Sequence, residues 1–353
     1  MMDTKFNTAF IVSGGGTRVM IYLGMYAALE QLNMKPDVLI ATCGGAFAST
    51  VINTFPSNQS RKEYLKSEEY YRFATRPRLT AQKKLSKIGL LSLKKVFDKR
   101  NAPFTEDVFS TYLAEISDDF TEDFPSLKHT QFSINIPTLI IGSEILFNIE
   151  SKGEKRNNKK LYQKVIFTDA ETAKKINLDK IVITTNNYIN SAVTVASKLK
   201  TDVSMLMSTR VSVSDMFYVA PAVLENKHYA GGAIDLIPIE LASHIAENVV
   251  IENKQVYSTV EESLIRAVLG YSGNKRLTEV QNQKPDFQID TRNIKNELEG
   301  HYIKKKIDWK NLEVCFDYPK SYEAFKKDMD LQWNYGYKQT IESIKQQKKL
   351  ESI

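Results

Sequence analysis

Two glycine-cornered turns, separated by one helix, constrain this chain more than any other feature. Phe10 opens FIVSGGGTRV, an apolar run that meets Gly14, Gly15 and Gly16 and then Arg18. Asp37 opens DVLIATCGGAFAS, a second apolar run that meets Cys43, Gly44 and Gly45. Periodicity predicts a strand over Ala9–Ser13, a helix over Arg18–Leu32, a strand over Val38–Thr42 and a helix starting near Gly44. The opening is therefore βαβα, the signature of an α/β fold.

The second turn has the form that presents a nucleophile. A strand that bends sharply into a helix thrusts one side chain into the open, provided its neighbours are small. Cys43 sits at that corner, Gly44 and Gly45 follow it, and Ala41 stands where such an elbow usually has glycine. The first turn, Gly14 to Gly16, can aim backbone N–H groups at the same point to hold an oxyanion, with Gly44 adding the amide after the nucleophile. Arg18 would anchor the loop or balance charge beside it. Alone, three glycines also fit a phosphate-binding turn and Cys-Gly-Gly also fits a packing feature; their order and spacing favour acyl chemistry. A third stretch, YAGGAIDLIP from Tyr229, joins them.

These stretches resemble the patatin-like acyl hydrolases. That family carries a Gly-Gly-Gly-x-Arg-Gly oxyanion loop, a Gly-x-Ser-x-Gly elbow and an Asp-Gly-Gly turn whose aspartate forms a dyad with the serine. The resemblance extends through STRVSVSDMFYVAPAV, AGGAIDLIPIELA and the closing WNYGYKQTIESI. It implies a three-layer α/β/α fold around a mainly parallel sheet with a nucleophile elbow. It also exposes changes in every motif: Val19 and Ala41 replace glycines, Cys43 replaces the serine, Ala230 stands at the dyad aspartate, and Ser214-Asp215 replaces a usual Pro-Gly. The oxyanion glycines, Arg18, the elbow glycines Gly44 and Gly45, and Gly231-Gly232 survive.

Loss of both serine and aspartate is chemically consistent. A serine without its base is a weak nucleophile, whereas a thiol at a helix N-terminus is expected to ionise unaided, and a nearby carboxylate would oppose that. Cys43 is thus expected as a thiolate. His228, two residues before Ala230, would project to the same strand face and serve as base; its alternative is a structural residue near a strand end. Asp215 and Asp235 are weaker substitutes, and Asp235 also reads as a turn-stabilising side chain.

The rest of the chain sets bounds. With 353 residues, 42% of them hydrophobic, it can bury a large core. No repeat or low-complexity linker divides it, so a single domain over 1–353 is expected, its core about 6–255, with a polar, lysine-rich, mostly helical remainder and one strand over Leu312–Asp317. FSINIPTLIIGSEILFNIES reads as strands joined by a Gly-Ser turn, KGEKRNNKK as a charged surface loop, and 61–116 as a lysine-rich helical stretch broken around RNAPFTED. Cys43 and Cys315 form neither a disulfide framework nor a zinc pattern, and Cys315 reads as a small buried hydrophobe. No metal or cofactor is expected. The N-terminal residues lack a secretory leader's pattern, and no run approaches the ~18 apolar residues of a membrane span, so a soluble, cytoplasmic protein is expected.

The net charge of +6 is modest, but KKLSKIGLLSLKKVFDKR (Lys83–Arg100) interleaves Leu85, Ile88, Leu91 and Phe97 with lysines. This amphipathic helix either covers a core or docks an anionic partner: a membrane surface, a coenzyme's phosphates or an acidic carrier protein. Nucleic acid is not expected, since basic runs are scattered and no base-stacking motif accompanies them. Three functions follow. The first is transfer of a fatty or polyketide-type acyl group through a Cys43 thioester, taken from acyl carrier protein, coenzyme A or phospholipid; it is favoured because nothing activates water. The others are an inactive scaffold that binds a lipid or partner, and a weak lipid acyl hydrolase.

Overall fold

The computed structural model describes residues 5–98, 100–181 and 186–351. Its centre is a mixed, mainly parallel sheet. The strands are β1 (Phe6–Val12), β2 (Val38–Thr42), β3 (Thr138–Ile145), β4 (Tyr162–Phe167), β5 (Lys198–Lys200), β6 (Ala222–Leu224), β7 (Lys227–Ala230), β8 (Ala246–Asn253) and β9 (Phe287–Asp290), in the order β9-β8-β1-β2-β3-β4-β5. β8, β1, β2 and β3 run parallel, while β4 and β7 pair antiparallel with β3. Alternating residues of β1 face opposite layers: Phe10 and Val12 join one core, Ala9 and Ile11 the other, as the period of two requires for a strand covered on both faces. The predicted α/β/α layering follows, and the sheet continues past residue 255 because β9 pairs with β8.

β3 is where the site is made. It runs unbroken through Gly142 and Ser143, where a turn was expected. A Cβ on Gly142 would lie 2.6 Å from Val211 Cγ1, so this glycine lets a helix pack closely on the strand. β2 occupies one edge of β3 up to the Thr42–Ile141 pair; β7 takes over the same edge from the Ala230–Ser143 pair. The chain following Thr42 therefore leaves the sheet directly opposite the end of β7.

The helices used below are α1 (Val19–Gln31), α2 (Gly44–Thr54), α3 (Leu85–Phe97), α4 (Met205–Ser212) and α5 (Tyr322–Glu351). The expected basic helix is α3, but the side chains of Ile88 and Leu91, and Lys99 altogether, lie outside the described residues. Beyond Phe97 the chain is irregular, and the hairpin β10 (Lys304–Asp308) and β11 (Glu313–Asp317) adds a strand not foreseen from sequence. Two further expectations are corrected. Cys315 is half-buried on that hairpin, and Arg156, within the supposed surface loop, is buried and donates to the carbonyls of Ala102, Asn190 and Ser191.

The long α5 closes the molecule on α1 through two glycines. A Cβ on Gly24 would sit 2.2 Å from the Trp333 carbonyl oxygen, and one on Gly336 would sit 2.1 Å from that of Ile21. Gly336→Val should therefore force the helices apart and cost roughly 1–3 kcal/mol, less whatever the helix gains in intrinsic propensity. Urea unfolding followed by circular dichroism measures this; an unchanged midpoint would show that the two backbones do not rely on contact there.

Candidate active site

β2 delivers Cys43 in a conformation that L-residues adopt only under strain, φ 48° and ψ −124°, at a cost of about 1–3 kcal/mol. Two close approaches hold the corner. A Cβ on Gly45 would lie 1.8 Å from the Val12 carbonyl oxygen, and one on Gly44 would lie 2.6 Å from that of Gly16. The Cys43 N–H donates to Ser212 Oγ at 2.9 Å, and that hydroxyl donates to the Ile141 carbonyl at 2.6 Å. α4 thereby ties the elbow to β3.

The Cys43 thiol donates to Asp215 Oδ1 at 3.1 Å. The Ala233 N–H donates to the same oxygen at 3.3 Å, and the Gly231 N–H donates to the Ser214 carbonyl at 2.7 Å, fastening the two segments together. A Cβ on Gly231 would fall 2.3 Å from Asp215 Oδ1, so this glycine leaves the space the carboxylate fills. Ala230 is buried and offers no acid. A carboxylate does stand beside Cys43, but it arrives from the segment after α4 instead of from β7.

This geometry corrects the expectation of a resting thiolate. Burial, followed by the charge and hydrogen bond of Asp215, pushes the Cys43 thiol well above its usual range, while Lys254 and the Gly232 N–H only partly oppose this. Burial likewise raises Asp215 to about 6, with the bonds from Cys43 and Ala233 pulling the other way. Near neutrality the pair rests as thiol and carboxylate, because a sulfur only 6% exposed facing an acid gains little from a helix terminus.

His228 does not reach the sulfur. β7 runs antiparallel to β3 with Ala230 opposite Ser143 and Tyr229 opposite Glu144, and His228 lies beyond those pairs, two residues or ~7 Å farther along the strand than Ala230. It is exposed, and its ring stands edge-to-face on Phe109 at 5.0 Å. Asp235 is also elsewhere: buried between Lys164 Nζ at 2.9 Å and Arg276 at 3.3 Å, it braces the turn after β7.

The glycine loop divides its work. Gly14 is not the expected oxyanion donor, since its N–H is spent on Thr42 Oγ1 at 3.1 Å; its role is to admit Cys43, whose Sγ would lie 3.2 Å from a Cβ there. The Gly15 and Gly16 nitrogens each lie 3.5 Å from where a Gly44 Cβ would be, so these two amides pack against the first residue of α2, next to Cys43 in the chain. Arg18 Nε donates to the Gly15 carbonyl at 3.0 Å. Beneath the loop, Lys254 Nζ donates to the Gly14 carbonyl and, at 2.9 Å, to Tyr22 OH, and pairs with Glu252 at 3.1 Å. Glu252 also accepts from Ser13, Tyr22 and Thr291. This buried cluster escaped sequence reasoning, although an acid and a base two residues apart at the end of an apolar strand was a usable signal.

A sequence profile of the Patatin-like phospholipase family matches residues 10–243. The chain belongs to that family. Among solved structures it is similar to VipD from Legionella pneumophila, at 10% identity and a TM-score of 0.39, covering 98% of this chain and 67% of VipD. It is also similar to the type III effector protein ExoU, at 10% identity and a TM-score of 0.37, covering 97% of this chain but spanning only about half of ExoU, 53%. No curated protein matches its sequence significantly. In this member the carboxylate beside Cys43 is that of Asp215, and position 230 is alanine.

The half-buried carboxylate of Asp215 has a thermodynamic consequence. Asp215 titrates at about 6 in the fold against an ordinary value of 3.8, so the proton it binds favours folding below pH ~3.8, and that contribution is lost as pH rises through about 6. Asp215→Asn should be more stable than the parent at pH 8, by up to ~3 kcal/mol, and should lose that advantage at pH 4. Urea unfolding at the two pH values measures it; an equal difference at both would mean the acid is not held against its charge.

Proposed function

We propose that this patatin-like chain is a lipid acyl hydrolase working through a Cys43–Asp215 dyad and a thioester intermediate. The observation that carries the reading is the thiol-to-carboxylate hydrogen bond at 3.1 Å, at a strained elbow faced by glycine amides. In the first half-reaction the sulfur bonds to the ester carbonyl carbon while its proton passes to Asp215 Oδ1. The oxyanion is held by the Gly15, Gly16 and Gly44 amides. Collapse breaks the carbon–oxygen bond, and the departing alcohol takes the proton from Asp215. Water then attacks the thioester, giving a proton to Asp215, which returns it to the sulfur as the fatty acid leaves.

Transfer to another acceptor rested on there being no base beside the sulfur. With Asp215 in that place the ground for excluding water is gone, and acyl carrier protein or coenzyme A becomes the secondary choice of donor to phospholipid. Intact-protein mass spectrometry after incubation with a short-chain phospholipid should show an acyl increment on the parent and none on Cys43→Ala. Asp215→Asn should slow steady fatty acid release about 10²–10⁴-fold. Release that survives Cys43→Ala would remove the thiol from the mechanism, and an acyl group that stays on Cys43 until a thiol acceptor is added would restore the transfer reading.

Where lipid would meet the protein is suggested by a second surface. Leu85 donates its N–H to the Leu312 carbonyl at 2.8 Å and Lys83 pairs with Glu313, which joins α3 to the β10–β11 hairpin. Phe97 on the helix is 79% exposed and Trp309 at the hairpin tip 74%, with Lys84, Lys87, Lys94 and Lys310 exposed around them. Lysines rimming exposed aromatic rings suit the interface of an anionic bilayer. The surface adjoins the catalytic segment: Lys305 donates to Tyr218 OH at 2.7 Å, three residues beyond Asp215. No described helix is long and apolar enough to cross a membrane. Phe97→Ser/Trp309→Ser should cut sedimentation with phosphatidylglycerol vesicles about tenfold while leaving turnover of a soluble short-chain ester near parental. Equal sedimentation would place lipid contact elsewhere.

A further inference from the structure

We infer that Lys254 is a positioning residue that aims the oxyanion amides, a role that rests on the acyl-hydrolase reading above. In a trans peptide the carbonyl of one residue and the N–H of the next point in opposite directions from a rigid plane, and no described peptide here is cis. Lys254 Nζ holds the Gly14 carbonyl, so the Gly15 N–H of the same plane must point away from the lysine. Arg18 Nε holds the Gly15 carbonyl at 3.0 Å, which turns the Gly16 N–H away from the arginine by the same rule. The two nitrogens lie equally close, 3.5 Å, to the point marked by a Gly44 Cβ. Two cations, gripping successive carbonyls, therefore fix successive donors.

The loop needs such a grip. Glycine has the widest choice of backbone conformations, and Gly16 already stands at φ 59°. Three adjacent glycines left to themselves would sample orientations that turn their amides to solvent. The lysine is itself locked: Nζ also donates to Tyr22 OH at 2.9 Å and pairs with Glu252 at 3.1 Å, and Glu252 is held by Ser13, Tyr22 and Thr291. Burial draws Lys254 down and Glu252 opposes that; burial also works against the Glu252 charge, which Lys254, Thr291 and Tyr22 nonetheless keep below its usual range. As the carbonyl at Gly14 is fixed by a charged donor, the dipole of its peptide is also strengthened in the direction that favours an anion at the Gly15 amide.

A lysine that only stabilises the fold would change all chemistry at Cys43 alike, whereas one that aims the oxyanion donors acts only where an oxyanion forms. The test uses two reactions of the same sulfur in a Cys315→Ser background. Acylation by p-nitrophenyl butyrate passes through an oxyanion; alkylation by iodoacetamide is a direct displacement and does not. Removing both members of the buried pair avoids stranding Glu252. Lys254→Met/Glu252→Gln should lower the ratio of acylation to alkylation rates about 10- to 100-fold, since loss of the pull of Lys254 on the thiol slows both reactions alike, and Glu252→Gln alone should fall well short of that loss. Lys254→Arg, which keeps the charge and serves if the neutral pair fails to fold, should shift the ratio in the same direction by a smaller factor. Hydrogen exchange across Ser13–Arg18 should quicken in both lysine variants. An unchanged ratio of acylation to alkylation, or unchanged exchange in that peptide, overturns the inference. If the parent itself takes up no acyl group, the hydrolase reading fails, and exchange in the loop alone decides whether Lys254 holds it.

Discussion

The approach of α2 to β1, with Gly45 against the Val12 carbonyl, is the contact on which the other features depend. It brings the helix that follows the nucleophile down onto the strand that precedes the glycine loop, so elbow and loop cannot separate. Sheet order does the rest. β1 and β2 are neighbours with parallel strands, and both therefore release their turns at the same end. The corner residue, pinned from below by Ser212, has no freedom to relax its strained backbone, and the strain is met by packing on three sides.

The electrostatics of the site follow from its shallow burial. Gly16 is exposed while Cys43 beneath it is nearly covered, which is enough to make both the thiol and its acid partner reluctant to carry charge. Burial raises the Asp215 carboxyl to about 6 without the help of His228, whose ring stands on Phe109. Two cations, Lys254 and Arg18, both half-buried, hold the carbonyls of Gly14 and Gly15. The site thus separates its charges: the Asp215 carboxylate lies on the α4 side and the cations at the glycine loop.

How much of this was legible depended on how local each feature was. β2, the start of α2, the glycine loop and Cys43 at the corner follow from spacing within about thirty-five consecutive residues. β9 was not legible, since FQID is too short and too polar to declare itself until it lies on β8; nor was the unbroken course of β3 through Gly-Ser. The partner of Cys43 lies 172 residues away, and no periodicity connects them. Alternation along β7 correctly associated residue 228 with residue 230 but could not show that the strand pairs with β3 through Tyr229 and Ala230 while His228 pairs with Val223 of β6. The estimate of a low thiol pKa failed for a similar reason: helix position is visible in sequence, whereas burial against an acid is not.

Gly231 offers a last consequence. It is empty space shaped to another residue's oxygen, and the family's own acid would come from the adjacent position, so two carboxylates at this sulfur would crowd and repel each other until one took up a proton. Alanine at 230 adds no second charge beside the Asp215 carboxylate, and Gly231 leaves that oxygen its room.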